Sequence, residues 1–270
     1  MGGFYNGIIV VNSLDTKLKD KEENKSIYIY STNEDSPITK MLIDNSETYA
    51  IFANKKGTIF IFFISPEKKY EWMLSKVITH QKSEITALSI CENLNIFISC
   101  SKEGYCMLYS LPKIKLFNSF KISFVDEEKN LFCSFILIYH VPLPCFIFYI
   151  KNQNAFYIYS INGKFLQKNE IDYEIVPNGI EKYIDYEMRD YLLIYNSKYK
   201  TIDIHRAIDF QFVSKSPVIN YEFIGLVLYK DLDHALILVK NNKKENEVNT
   251  QESKYKILVL KDKTNELIWK

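Results

Sequence analysis

Between Ser83 and Ser119 the chain reads SEITALSICENLNIFISCSKEGYCMLYSLPKIKLFNS, in which short apolar runs are cut apart by polar turns. The runs are Ile85–Ile90, Ile96–Cys100 and Tyr105–Leu111, with a weaker fourth around Leu116–Phe120. The turns are Cys91-Glu92-Asn93, Lys102-Glu103-Gly104 and Leu111-Pro112-Lys113. No helical apolar period survives past one turn. Runs of this length, rich in β-branched and aromatic residues, predict a four-stranded antiparallel meander. The pattern recurs upstream, where Lys55-Lys56-Gly57 lies 47 positions before Lys102-Glu103-Gly104. Ile38–Ile43 and Tyr49–Ala53 precede Gly57, and Thr58–Ile64 and Trp72–Ile78 follow it. Four strands repeating every 40–50 residues or so predict the blades of an all-β propeller.

The rest of the chain divides at the same spacing. Residues 3–14 read as a strand, an Asn6-Gly7 hairpin turn and a second strand. Ile27–Tyr30 follows as an outer strand, beyond the charged loop Lys17–Lys25. A further unit runs Leu131–Tyr139, Cys145–Ile150, Phe156–Ile161 and Lys164–Lys168, after the acidic loop Asp126–Lys129 and with Asn162-Gly163 as its last turn. Pro142 and Pro144 stand in its first connection, where a missing donor does no harm. The next unit is Ile180–Asp185, Tyr191–Tyr195, Thr201–Arg206 and Phe210–Ser214, and the last is Tyr221–Tyr229, Ala235–Val239, Tyr255–Leu260 and Leu267–Trp269. The domain is therefore expected to be one propeller over 1–270. A partial blade and connection occupy 1–34, and blades occupy 35–79, 80–122, 130–170, 178–215 and 218–270. The polar stretch 240–254 is expected to be a disordered loop. Five complete blades and one half predict an incomplete ring of a seven-bladed propeller, because closure is what hides sheet edges in this fold. The expectation is that upstream sequence completes it and that Met1 is not the start of the functional protein.

Composition narrows the function. Aromatic residues make up 15% of the 270, mostly 20 Tyr and 18 Phe, which favours strands. The 34 Lys and Arg against 33 Asp and Glu leave a net charge of +1, so a dedicated nucleic-acid surface is not expected. Cys91, Cys100, Cys106, Cys133 and Cys145 form no Cys-x-x-Cys pair and lie in or beside apolar strands, which predicts buried free thiols in a reducing compartment. No secretory signal opens the chain, and Asn6 stands where N-myristoylation wants Ser or Thr. No apolar run approaches the about 20 residues that span a bilayer as a helix. A cytoplasmic protein without a transmembrane segment is expected.

Thr79-His80 before a strand, Ser99 within the second, Glu103-Gly104 in the next turn and Tyr109-Ser110 ending the third resemble a WD repeat, whose pattern there is Gly-His, Ser, Asp-Gly and Trp-Asp. The resemblance implies that His80, Ser99, Glu103 and Tyr109 form the buried hydrogen-bonding chain that staples a blade. Gly2–Leu14, His80–Leu111, Phe156–Asp172 and Ala207–Val213 further resemble, in that order, the C-terminal WD-repeat propeller of BEACH-domain proteins, the neurobeachin family; Tyr159-Ser160-Ile161-Asn162-Gly163-Lys164 is the most specific piece. That resemblance implies a large cytoplasmic scaffold in vesicle and membrane trafficking, autophagy or lysosome-related organelle biology. It would be peripheral to vesicle or endolysosomal membranes, with partner peptides or a neighbouring BEACH domain docked on the propeller.

Nothing in the sequence requires catalysis, a cofactor or a metal. His80, His140, His205 and His234 show no metal-ligand spacing, and no Gly-x-Ser-x-Gly elbow is present. Asp126-Glu127-Glu128 and Asp231/Asp233 sit in polar stretches that read as solvated surface rather than as a glycosidase pair. Lys68-Lys69, Lys113/Lys115, Lys198/Lys200 and Lys240/Lys243/Lys244 could each contribute about 1 kcal/mol at an anionic membrane if they shared one rim. Trp72 and Trp269 are expected in outer strands, as packing residues. The expected function is a non-catalytic protein-interaction scaffold. The rivals are a free-standing propeller adaptor of another complex, such as a ubiquitin-ligase or cytoskeletal one, and an enzyme with carboxylates or histidines converging on the channel.

Overall fold

The computed structural model describes residues 2–3, 7–12, 27–32, 34–44, 46–67, 71–111, 113–122, 133–139, 144–176, 178–184, 189–229, 234–240, 255–263 and 266–269. They form an all-β propeller of four-stranded antiparallel sheets, each laid down strand by strand in chain order. The first four-stranded sheet is β4 (Ile38–Ile43), β5 (Tyr49–Asn54), β6 (Ile59–Ile64) and β7 (Trp72–Ile78). The second is β8 (Ile85–Cys91), β9 (Ile96–Ser101), β10 (Tyr105–Ser110) and β11 (Lys115–Lys121). The third is β12 (Cys133–Tyr139), β13 (Cys145–Ile150), β14 (Ala155–Ser160) and β15 (Phe165–Glu170). The fourth is β16 (Ile180–Ile184), β17 (Asp190–Asn196), β18 (Thr201–Arg206) and β19 (Phe212–Lys215). The fifth is β20 (Glu222–Tyr229), β21 (His234–Lys240), β22 (Tyr255–Lys263) and β23 (Glu266–Trp269). Ahead of them β1 (Gly2–Gly3), β2 (Ile8–Asn12) and β3 (Ile27–Ser31) pair as a three-stranded sheet where half a blade was expected. Two short 3-10 turns, Glu92–Leu94 and Lys151–Gln153, each end on an Asn in the left-handed region and were not foreseen.

The first strands of successive sheets touch one another, β4 against β8, β8 against β12 and β16 against β20, so they are the innermost. The fourth strands lie outside and alternate toward solvent, as in β11 and β15. The middle strands do not alternate. All six residues of β13 are buried, as a strand covered on both faces requires. Each gap between neighbouring sheets is a separate core. Phe52, Phe60 and Phe62 face the N-terminal sheet, and Ile51, Ile61, Phe97 and Tyr109 fill the next gap. Cys100, Leu108, Phe146 and Phe148 fill the one after. Trp72 packs as expected, 7% exposed and stacked on Tyr30 with ring centroids 5.6 Å apart.

A device invisible to apolar patterning repeats on the innermost strands. The pairing of β4 with β5 skips Thr39, and that of β8 with β9 skips Thr86, 47 positions later. Such bulges sharpen the local twist. The spare residue is used: Thr39 Oγ1 donates to the Ile85 carbonyl of the next sheet at 2.8 Å, and Thr86 Oγ1 to the Cys100 carbonyl at 3.3 Å.

Of the expected features, the loops Lys17–Lys25 and Asp126–Lys129, Pro142, Lys68-Lys69, Asp231/Asp233, His140 and residues 241–254 of the polar loop lie outside the described residues. So do the side chains of Cys133, His234 and Trp269. Among the described residues no helix is long and apolar enough to cross a membrane.

Candidate functional site

The turns between the second and third strands of three sheets are tied by buried polar side chains. In the first sheet Asn54 Oδ1 accepts from the Lys56 and Thr58 amides, an Asx turn, while its Nδ2 donates to Glu34 Oε2 at 2.6 Å. Thr58 Oγ1 donates to the other oxygen of the same carboxylate at 3.2 Å. In the fourth sheet Asn196 Oδ1 accepts from the Lys198 and Tyr199 amides. There Asp203 takes the carboxylate's part, accepting from Asn196 Nδ2 at 2.7 Å and from Thr201 Oγ1 at 2.8 Å. In the second sheet Ser101, 47 positions after Asn54, accepts the Tyr105 amide on its Oγ at 3.2 Å. Buried polar groups left unpaired cost about 1–3 kcal/mol each, so each filled set holds its turn in one shape.

At the second sheet the set reaches the preceding loop, residues 79–84. His80 stacks on Tyr109, ring centroids 5.9 Å apart, with Nδ1 3.3 Å from the phenol oxygen. Tyr109 is wholly buried and also stacks on Phe97 at 4.7 Å. Burial pushes its phenol well above the usual range, and a Ser99 hydrogen bond pulls it partly back. Ser99 Oγ donates to Gln81 Oε1 at 2.8 Å, and Gln81 Nε2 donates to the Tyr105 carbonyl at 2.7 Å. His80, Ser99 and Tyr109 therefore sit together, as the WD resemblance implies. Glu103 does not join them; it is exposed. An amide side chain both accepts and donates, so Gln81 bridges the strand hydroxyl to the turn where a carboxylate could only accept. Sequence reasoning missed Gln81, and the 47-residue echo between Asn54 and Ser101 was the signal that could have marked these turns.

Above this staple opens a cleft of about 220 Å³ lined by His80, Lys82, Ser101, Glu103, Tyr105 and Met107, among others. Its floor is fixed and its mouth is mixed, with Tyr105 43% exposed. The neighbouring sheet braces it. Gly57, at φ +90°, lies so close beneath the loop that a Cβ there would stand 2.6 Å from the Gln81 carbonyl oxygen and 2.7 Å from that of Ser83.

The other singled-out residues do not converge on this cleft. His205 stacks on Phe210 at 4.5 Å, with Nδ1 3.2 Å from the Phe210 carbonyl oxygen, and desolvation holds its pKa below the ordinary value. Lys198 pairs with Asp172, and Lys240 with Glu222 at 3.0 Å, so these lysines stand beside acids rather than forming one basic rim. Lys115 is exposed at the start of the outer strand β11. Charged groups do occur on the innermost strands. Lys182 of β16 lies 2.9 Å from Asp190, donates to the Ile138 carbonyl of β12 at 3.3 Å and acts electrostatically on Cys91 of β8. Beside it, burial pushes Glu181 up to about 7. Among the described residues no three His, Cys, Asp or Glu side chains are grouped as metal ligands.

No protein-family profile matches the sequence, and no curated protein does. Solved structures do match the fold. A chain in the crystal structure of the Mitotic Checkpoint Complex superposes with a TM-score of 0.62 at 8% identity, over 91% of this chain and 70% of that one. The β-propeller domain of Myceliophteria_thermophila Cps50 (Swd1) gives 0.50 at 10% identity, over 78% and 68%. Kuenenia stuttgartiensis hydrazine synthase gives 0.58 at 8% identity, over 84% and 63%. At such identities the likeness is one of fold alone, and the fold is shared by an assembly component and an enzyme alike.

Proposed function

We propose that this propeller is a non-catalytic protein-interaction module, an adaptor that docks a partner's peptide segment in the cleft between residues 79–84 and the Ser101–Tyr105 turn. One observation carries the reading: a cleft with a half-exposed tyrosine and a methionine stands on a fully bonded staple. A preorganised aromatic anchor in a small pocket is how a few residues come to dominate a docking surface. With Glu103 and Lys82 at the mouth, both signs of charge are on offer to the incoming segment. The test is to isolate partners with the full chain and measure their affinity for variants. Tyr105→Ala is expected to weaken a cleft-bound partner at least about tenfold, and Tyr199→Ala, on another sheet, to leave it unchanged. Partners that bind Tyr105→Ala and Glu103→Lys as tightly as the native chain would remove the cleft from the interaction.

A narrower reading makes the module the C-terminal propeller of a BEACH-type trafficking scaffold, its sheets part of a seven-bladed ring with the β1–β3 sheet in a shared blade. It rests on the resemblance of Gly2–Leu14, His80–Leu111, Phe156–Asp172 and Ala207–Val213 alone. An immunoblot of the endogenous protein separates it from the adaptor, because a band near 31.8 kDa excludes the scaffold.

A further inference from the structure

Cys100 on β9 and Cys106 on β10 are directly opposed in the antiparallel pairing. Their sulfurs lie 3.4 Å apart. Both side chains are wholly buried, and neither is held in a disulfide. Opposed residues of antiparallel strands hold their Cα atoms about 4.5–5.5 Å apart, inside the range of about 4.4–6.8 Å that a disulfide accepts. The Cα spacing of the pair therefore admits a bridge, and rotation of the two side chains brings the sulfurs closer than their present 3.4 Å. The third cysteine of the same core, Cys91, has no such opposite number, since its pairing partner is Ile96. The pair also brackets a functional element. The residues between the two cysteines form the turn that gives the cleft Ser101, Glu103 and Tyr105.

We propose that Cys100 and Cys106 are a reversible dithiol–disulfide site, oxidised by a peroxide, that fixes the turn under the cleft. One thiolate attacks a peroxide oxygen and displaces hydroxide, leaving a sulfenic acid. The second thiolate attacks that sulfur, forms the S–S bond and displaces the sulfenic oxygen as a second hydroxide. The two thiol protons convert the two hydroxides to water. Each cysteine sulfur loses one electron and hydrogen peroxide takes up two, so dithiol and peroxide become disulfide and two waters. Full burial makes the reaction wait on local opening of the sheet, which protects the thiols in the folded protein and lets an opened blade be captured.

The experiment treats the full chain with hydrogen peroxide, alkylates the remaining thiols and measures peptide masses, in buffer and again in urea below the unfolding transition. The expected product is a single link between Cys100 and Cys106, lighter by two hydrogens, reversed by dithiothreitol and formed faster in urea. Cys106→Ser is expected to abolish the link and to drive Cys100 on to the sulfinic acid. Amide exchange across Lys102–Gly104 is expected to slow at least severalfold on oxidation. The proposal is overturned by sulfinic acid at both positions of the native chain without a link, by links that prefer other cysteines, or by two free thiols after oxidation in both conditions. A link that leaves amide exchange of the turn unchanged would remove the fixing role.

Discussion

The sheets β12–β15 and β20–β23 come from sequence of the same kind and end in different surroundings. CFIFYI of β13 and the apolar residues 235–239 of β21 both lack polar alternation. In the β12–β15 sheet both faces are covered: Phe146 and Phe148 meet the β8–β11 sheet, and Ile147 and Tyr149 meet the β16–β19 sheet. In the last sheet one face, with Leu226, Ala235, Ile237 and Val239, packs on Leu193, Tyr195 and Ile202. The other face presents Val227, Leu238 and Ile257 at 58%, 38% and 62% exposure. An unbroken apolar run thus reports that a strand can be buried on both faces, and whether it is depends on the neighbour.

The largest test of the contrast is Phe148→Ala. Phe148 is wholly buried against Phe120 and Tyr159, with ring centroids 6.3 and 5.5 Å away. A cavity in a gap sealed on both sides should cost about 3–5 kcal/mol, read as a fall in the urea midpoint at unchanged slope. A loss below about 1 kcal/mol would show that the gap is loosely packed and that the two sheets differ less than their burial says.

Two glycines extend the comparison to the backbone, setting the closely braced turn of the β4–β7 sheet against the open β20–β23 sheet. Gly57→Ala meets both a positive φ and carbonyl oxygens fixed by the loop above, and should cost about 1–3 kcal/mol or more. Gly225 of β20 has no positive φ, and a Cβ there would meet only the Asn178 Cβ at an ordinary 3.6 Å. Gly225→Ala should therefore be neutral or raise stability by up to about 1 kcal/mol through the unfolded chain. Thermal melts that order the two variants the other way would sink the account of the braced cleft.

Glu181 sits at the junction of the two regions. It pairs with Leu193, which faces the last sheet. Its folded pKa is raised from 4.5 to about 7 by desolvation. The native state therefore binds more protons than the unfolded one between those values, and stability falls as pH rises through the window. Removing the charge with Glu181→Gln should leave stability near pH 4.5 almost unchanged. Above pH 7 it should raise stability by about 1–3 kcal/mol, seen in urea titrations across pH. His205 runs the opposite way, its lowered folded pKa withdrawing stability as pH falls below 6.5. The two slopes are separated by measuring Glu181→Gln in a His205→Phe background.

Much of the fold was legible because turn chemistry and strand length are local. Ile38–Ile43, Trp72–Ile78, Cys145–Ile150 and Thr201–Arg206 run where the residues alone place them. The staple was half legible. His80 and Tyr109 are large and appear at recognisable spacing, whereas Gln81 acts through an amide that nothing in its neighbours' chemistry singles out. Glu103 was misplaced for a physical reason: an exposed turn carboxylate needs no partner, and the position it was expected to fill requires a donor for the Tyr105 carbonyl. The bulges at Thr39 and Thr86 were illegible, because one extra residue leaves the apolar pattern of so short a strand intact.

The smallest expected effect tests the exposed face directly. Ile257→Ser removes an apolar side chain that is already 62% in water, so stability should change by no more than about 0.5 kcal/mol. Ile237→Ser, one strand away and wholly buried on the opposite face, should cost several times as much, since it loses burial and strands a hydroxyl in the core. The pair shares a sheet, a residue type and a substitution, so composition and propensity cancel and only the neighbour remains. A cost for Ile257→Ser comparable to that for Ile237→Ser would mean that in solution the outer face of β20–β23 is covered like the inner one, and the contrast between the two sheets would collapse into a single rule of burial on both faces.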